Sequence, residues 1–89
     1  MEELINIIRE RKNSSPDKSY TNKLLNDRGM CIDKVNEEIK ELLEAIKENS
    51  NKVHEAADVL YHLLVLLENS SIKIEEVMEE LKKRQNKKK

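Results

Sequence analysis

Between Ala56 and Leu67 only Asp58 and His62 interrupt an otherwise apolar run. A helix apolar on nearly every side must be buried on nearly every side. The chain has 89 residues, one Gly and one Pro. That supply of turn residues cannot serve a many-stranded sheet. The fold class is therefore all-α. With no Phe or Trp, the core must be aliphatic. One set of neighbours in so short a chain can hardly surround the 56–67 helix, so a small bundle of four main helices completed by homodimerisation is expected.

The remaining composition excludes several classes. A single Cys rules out a disulfide framework and a multi-thiolate zinc site. It agrees with a reducing, cytoplasmic setting. No apolar stretch approaches the roughly 20 residues of a membrane span, and the acidic start Glu2-Glu3 is unlike a signal peptide. Seventeen basic residues against eighteen acidic give a net charge of −1, which argues against nucleic acid as a partner. The basic end is read as a short frayed tail at 87–89 after a single domain at 1–86.

Periodicity places the helices. Leu4, Ile5 and Ile8 share a face in a first segment at 2–12, and 13–17 reads as a loop. Residues 19–26 form a short helix or ordered loop, and 27–29 a turn. The second main helix, 31–48, carries a stripe of Ile32, Val35, Ile39, Leu42, Leu43 and Ile46. Asn49-Ser50-Asn51 offers N-caps for a third at 51–68. Ile74, Val77, Met78 and Leu81 mark the last, at 74–84. Tyr61 and the leucines of the third helix are read as core, Cys31 as a buried thiol and His54 as a surface residue.

The chemistry gathers on the second and third helices. Glu55, Asp58 and His62 fall within about 60° of arc on the wheel. Buried carboxylates side by side either find cations or stay protonated, and a divalent metal ion solves the problem directly. On the second helix Glu38 and Glu41 lie at the edge of the apolar stripe and can turn toward the third. Glu37 is less well aimed, and Glu44 and Glu48 point to solvent. Antiparallel packing across the short 49–51 connection brings Glu38 and Glu41 toward Glu55 and Asp58. Four carboxylates suit a hard cation, Mg2+ first and Mn2+ second. His62 alone reads as a hydrogen-bonded core histidine.

Glu37-Glu38-Ile39-Lys40-Glu41 followed by Glu55-Ala56-Ala57-Asp58 resembles the EExxE…ExxD pattern of the MazG-like all-α nucleoside triphosphate pyrophosphohydrolases. Ser19-Tyr20-Thr21-Asn22-Lys23-Leu24 and the stretch from Glu55 to Leu67 resemble, more narrowly, the phosphoribosyl-ATP pyrophosphohydrolase family of histidine biosynthesis. The likeness spans about residues 4 to 84. It implies Mg2+-dependent hydrolysis of phosphoribosyl-ATP to phosphoribosyl-AMP and pyrophosphate by a cytoplasmic homodimer. It implies Glu38, Glu41, Glu55 and Asp58 as metal ligands and Glu37 or Glu38 as the group that handles water. It also implies Arg11, Lys23 and Lys34 as phosphate contacts, and Ser19, Tyr20 and Thr21 as walls of the substrate pocket. Asn36 replaces the usual Gly before the paired glutamates, Asp33 a Lys-like residue, and Ile39 a small one. The rival readings are a house-cleaning pyrophosphatase acting on dUTP, dCTP or non-standard nucleotides, and a non-catalytic helical dimer.

Overall fold

The computed structural model describes residues 2–15 and 17–87. Among them five α-helices and one 3₁₀ turn follow in order: α1 (Glu2–Glu10), the turn Arg11–Asn13, α2 (Tyr20–Leu25), α3 (Arg28–Glu48), α4 (Lys52–Asn69) and α5 (Ile74–Lys87). No strand occurs among the described residues. Of the expected tail, Lys87 ends α5 and 88–89 lie outside the described residues.

Local chemistry explains the boundaries. Ser19 starts α2 by accepting the Asn22 amide with its hydroxyl at 3.1 Å. Asp27 starts α3 in the same way, accepting the Met30 amide at 3.0 Å. The 27–29 segment is therefore not a turn: Arg28 and Gly29 are helical, because the Asp27 cap satisfies an orphan donor of the first turn. The 49–51 connection works differently from expectation. Asn49 closes α3 in the left-handed region at φ 57°, with the Ser50 amide bonded back to the Ala45 carbonyl at 3.0 Å. Asn51 precedes α4 at φ 52° and makes no side-chain cap. Asparagine tolerates this region better than most residues, so the chain reverses within three positions.

The core is one aliphatic cluster of Ile5, Ile8, Leu24, Cys31, Leu64 and Val65, drawn from α1, α2, α3 and α4. α3 and α4 form the principal antiparallel pair. Glu41 meets Glu55 near the connection, and Cys31 meets Leu64 and Val65 at the far end. Polar ties brace the periphery. The buried Asn22 amide donates to the Arg11 and Lys12 carbonyls at 2.7 and 3.3 Å. Asn69 donates to the Leu24 and Leu25 carbonyls at 3.0 and 2.8 Å. Arg9 bridges α1 to Glu68 of α4 and Glu75 of α5. That partner lowers the Glu75 pKa to about 2.

Of the α3 stripe, Val35 is buried and Ile32, Ile39, Leu43 and Ile46 are exposed, while Cys31, Glu38 and Ala45 complete the buried set. The small Ala45 lets the helices close along that arc. On α4, His62, Leu64 and Val65 are buried, whereas Leu60 and Leu63 are exposed rather than core.

Candidate active site

Pairing α3 along its Val35–Glu38–Ala45 arc turns its acids inward. One carboxylate oxygen from each of Glu38, Glu41 and Glu55 lies within 4.8 Å of the others. Glu38 is only 6% exposed, and its Oε2 has no hydrogen-bond partner. Oε2 of Glu55 is likewise buried and unpartnered. Burial, then Glu41, then Asp58 raise the Glu38 pKa above the ordinary carboxylate value. Burial and Glu41 do the same to Glu55. An orphaned buried carboxylate oxygen is costly. A set of oxygen donors with two such atoms fits a divalent, oxygen-loving cation.

Asp58 sits one turn further along α4. It joins Glu55 in a second group with His54, whose Nε2 is 3.4 Å from Asp58 Oδ2 and 3.9 Å from Glu55 Oε1. His54 is solvent-exposed, as expected, but it borders the acidic site. Its spacing of four from Asp58 was the available signal. Glu44 and Glu48 line an open cleft of about 280 Å³ together with Glu41 and Glu55. A larger cleft lined by Arg9, Lys12, Glu68, Ser71, Lys73 and Glu75 shares no residue with the carboxylate cluster, and Arg9 is already paired there with Glu68 and Glu75.

Glu37 lies outside the three-carboxylate group and pairs with Lys34, Oε2 to Nζ 3.4 Å. Lys34 Nζ is also 3.9 Å from Glu38 Oε1. Partial burial works against the Lys34 charge, but Tyr20, Glu37 and Glu38 outweigh it and raise its pKa. Of the 19–24 segment, Tyr20 comes closest to this region. Its hydroxyl lies 3.0 Å from His62 Nε2, and burial raises its pKa despite Lys34. Thr21 is buried with its hydroxyl bonded to the Tyr61 hydroxyl. Ser19 is spent on capping α2. Arg11 and Lys23 are exposed and, among the described residues, form no ion pair. Cys31 is fully buried, as expected, and burial pushes its thiol pKa up.

A helical chain that gathers carboxylates from an EExxE and an ExxD stretch on two paired helices has the architecture of the all-α nucleoside triphosphate pyrophosphohydrolases. Comparison narrows this. Residues 1–85 match the phosphoribosyl-ATP pyrophosphohydrolase family. A phosphoribosyl-ATP pyrophosphatase of Clostridium novyi (strain NT) is 40% identical over 92 residues, covering 98% of this chain and 82% of that protein. Its counterpart in Methanococcoides burtonii is 35% identical over 91 residues, with 97% and 92% covered. That of Cereibacter sphaeroides is 42% identical over 89 residues, with 96% and 85% covered. The chain belongs to the phosphoribosyl-ATP pyrophosphohydrolase family. Among the described residues no helix is long and apolar enough to cross a membrane.

Proposed function

We propose that this chain hydrolyses phosphoribosyl-ATP to phosphoribosyl-AMP and pyrophosphate, the second step of histidine biosynthesis, as a Mg2+-dependent cytoplasmic homodimer. The observation that carries the reading is the pair of buried, unpartnered oxygens on Glu38 and Glu55 inside a three-carboxylate cluster. Family membership names the substrate class.

Glu38, Glu41, Glu55 and Asp58 would hold the Mg2+. Mn2+ is the natural substitute, because both take oxygen donors. When bound, the ion supplies positive charge against the phosphate oxygens and the departing pyrophosphate. Lys34, held beside Glu37 and Glu38, adds a second positive charge to the same side. Arg11 and Lys23, exposed on the segments before α3, are further phosphate contacts, while Ser19, Tyr20 and Thr21 shape the pocket wall. Glu37 or Glu38, whichever carboxylate the ion does not fully use, would take the proton of the attacking water. The water oxygen bonds to the α-phosphorus, the bond from that phosphorus to the bridging oxygen breaks, and pyrophosphate leaves with the bond electrons.

Dimerisation is supported by the exposed aliphatic stripes of α3 and α4, because large apolar side chains gathered on one face favour a covered surface.

Pyrophosphate release should be measured with Mg2+ on phosphoribosyl-ATP, ATP, dUTP and dCTP. Phosphoribosyl-ATP is expected to be the preferred substrate by at least tenfold in kcat/KM. A preference for dUTP or dCTP would replace this reading with a house-cleaning role.

A further inference from the structure

Tyr20 and His62 belong to a hydrogen-bonded chain with a fixed direction. His62 is 6% exposed. Its Nδ1 lies 2.8 Å from the Asp58 main-chain oxygen. A carbonyl oxygen can only accept, so in the neutral ring Nδ1 carries the hydrogen and Nε2 offers a lone pair. The Tyr20 hydroxyl, 3.0 Å from Nε2, therefore donates its single hydrogen to His62. Edge-on packing of Tyr20 and Tyr61 against the imidazole, at centroid distances of 5.8 and 5.1 Å, holds the ring in that orientation. Tyr20 itself is 46% exposed, and Lys34 and Glu38 lie close enough to act on its hydroxyl.

A phenol whose hydrogen is committed has only lone pairs left to offer. Phosphate oxygens also only accept, so they gain nothing from it. Ribose hydroxyls and base amines donate. We propose that Tyr20 recognises the nucleoside part of the substrate as a hydrogen-bond acceptor, taking a ribose hydroxyl or a base amine, and that His62 is the positioning residue that fixes this polarity. The assignment rests on the function proposed above and adds to it. Lys34 faces the phosphates, and Tyr20 reads the sugar or base.

Two measurements on the full chain test it. Nitrogen-resolved NMR of the His62 ring should show hydrogen on Nδ1 and none on Nε2, with the Nε2 resonance shifting in Tyr20→Phe. A hydrogen on Nε2 would overturn the proposal. In kinetics, Tyr20→Phe should raise KM for phosphoribosyl-ATP about tenfold, the loss of one hydrogen bond, with kcat within about twofold. That penalty should vanish for one analogue: one of a set each lacking a single ribose hydroxyl, or one with the base amine replaced by oxygen. Which analogue it is separates sugar from base. An equal penalty on every analogue, or none on any, overturns the assignment. The double variant Tyr20→Phe/His62→Gln should be no worse in KM than His62→Gln alone; additive losses would give His62 a purely structural role. Wild-type chain inert toward phosphoribosyl-ATP counts against the proposed function, and the nitrogen shifts still decide the polarity.

Discussion

Glu38 is a carboxyl group taken out of water with one oxygen left unpartnered. Its neighbours Glu41 and Asp58 add repulsion rather than relief. Such a residue weakens the fold unless a bound cation offsets the cost, as in the metal site proposed above. Glu38→Gln should abolish turnover. It should also raise the melting temperature of the metal-free chain at neutral pH by roughly 4–8 °C, corresponding to about 1 kcal/mol for removing the buried charge. Mg2+ should stabilise the wild type and fail to stabilise the variant. The pH dependence has a definite sign. Glu38 and Glu55 have pKa values raised in the folded state. As pH rises from the ordinary carboxylate range through those raised values, the unfolded chain has released protons that the folded chain still binds. Their contribution to metal-free stability therefore falls over that window. With Mg2+ present the trend reverses, because the ion needs the deprotonated ligands. Melts at pH 5 and pH 8, with and without Mg2+, check both signs. A wild type indifferent to Mg2+ at pH 8 would remove the metal site. Sequence made this residue legible, since a glutamate at the edge of an apolar stripe is out of place on a solvated face. It did not separate Asp58 from the other three carboxylates, because the wheel carries no information on depth along the helix pair.

At the scale of elements, α3 and α4 were readable because their apolar periods are long and regular. α2 was ambiguous. It has six residues, too few to be stable alone, and it persists because polar side chains tie it down. Asn22 is 1% exposed and anchors the 3₁₀ turn through two carbonyls while accepting the Asn26 side-chain amide at 3.0 Å. Asn69 fastens the other end of α2 to α4, and Arg28 in turn holds Asn69 at 2.9 Å. Asn22→Ala removes the side-chain donor to the Arg11 and Lys12 carbonyls and leaves the Arg11 carbonyl only the Ser14 amide, which should cost about 1 kcal/mol. Because Tyr20 stands on the same short helix, the variant should also raise KM more than it lowers kcat. Chemical denaturation and steady-state kinetics measure the two effects; unchanged stability would remove Asn22 as the anchor of this segment. None of these ties follows a period, which is why sequence patterning left 19–26 undecided. The start of α3 was misjudged for a related reason. Gly29 and Asp27 together resemble turn chemistry, yet Asp27 acts as a cap and the glycine is absorbed into the first turn.

At the scale of the molecule, the exposed stripes support the proposed dimer. Ile32, Ile39, Leu43 and Ile46 recur at intervals of seven, four and three on α3, and Val53 and Leu60 recur at seven on α4. The wheel turned the Glu38–Glu41 edge of the α3 stripe toward α4, and Glu38, Glu41 and Glu55 gather there. Periodicity shows that an arc will be covered, not whether another helix of the same chain or a second copy covers it. The small Ala45 on the acid-bearing arc is what let α4 take that side. Leu43 and Ile46 are 58% and 55% exposed in the single chain, so charges placed there do little to the fold of one subunit. In a dimer the same positions are desolvated, and an unpaired buried carboxylate costs several kcal/mol. If the proposed dimer uses this stripe, Leu43→Asp/Ile46→Asp should give a folded monomer at micromolar concentrations, with helical circular dichroism retained. Glu38, Glu41 and Glu55 all come from one chain, so stabilisation by Mg2+ should survive in that monomer even if turnover falls. Sedimentation equilibrium and Mg2+-dependent melts on the same sample separate the two effects. A double variant that still sediments as a dimer would move the interface off α3, and a monomer that no longer responds to Mg2+ would show that the carboxylate site needs its partner.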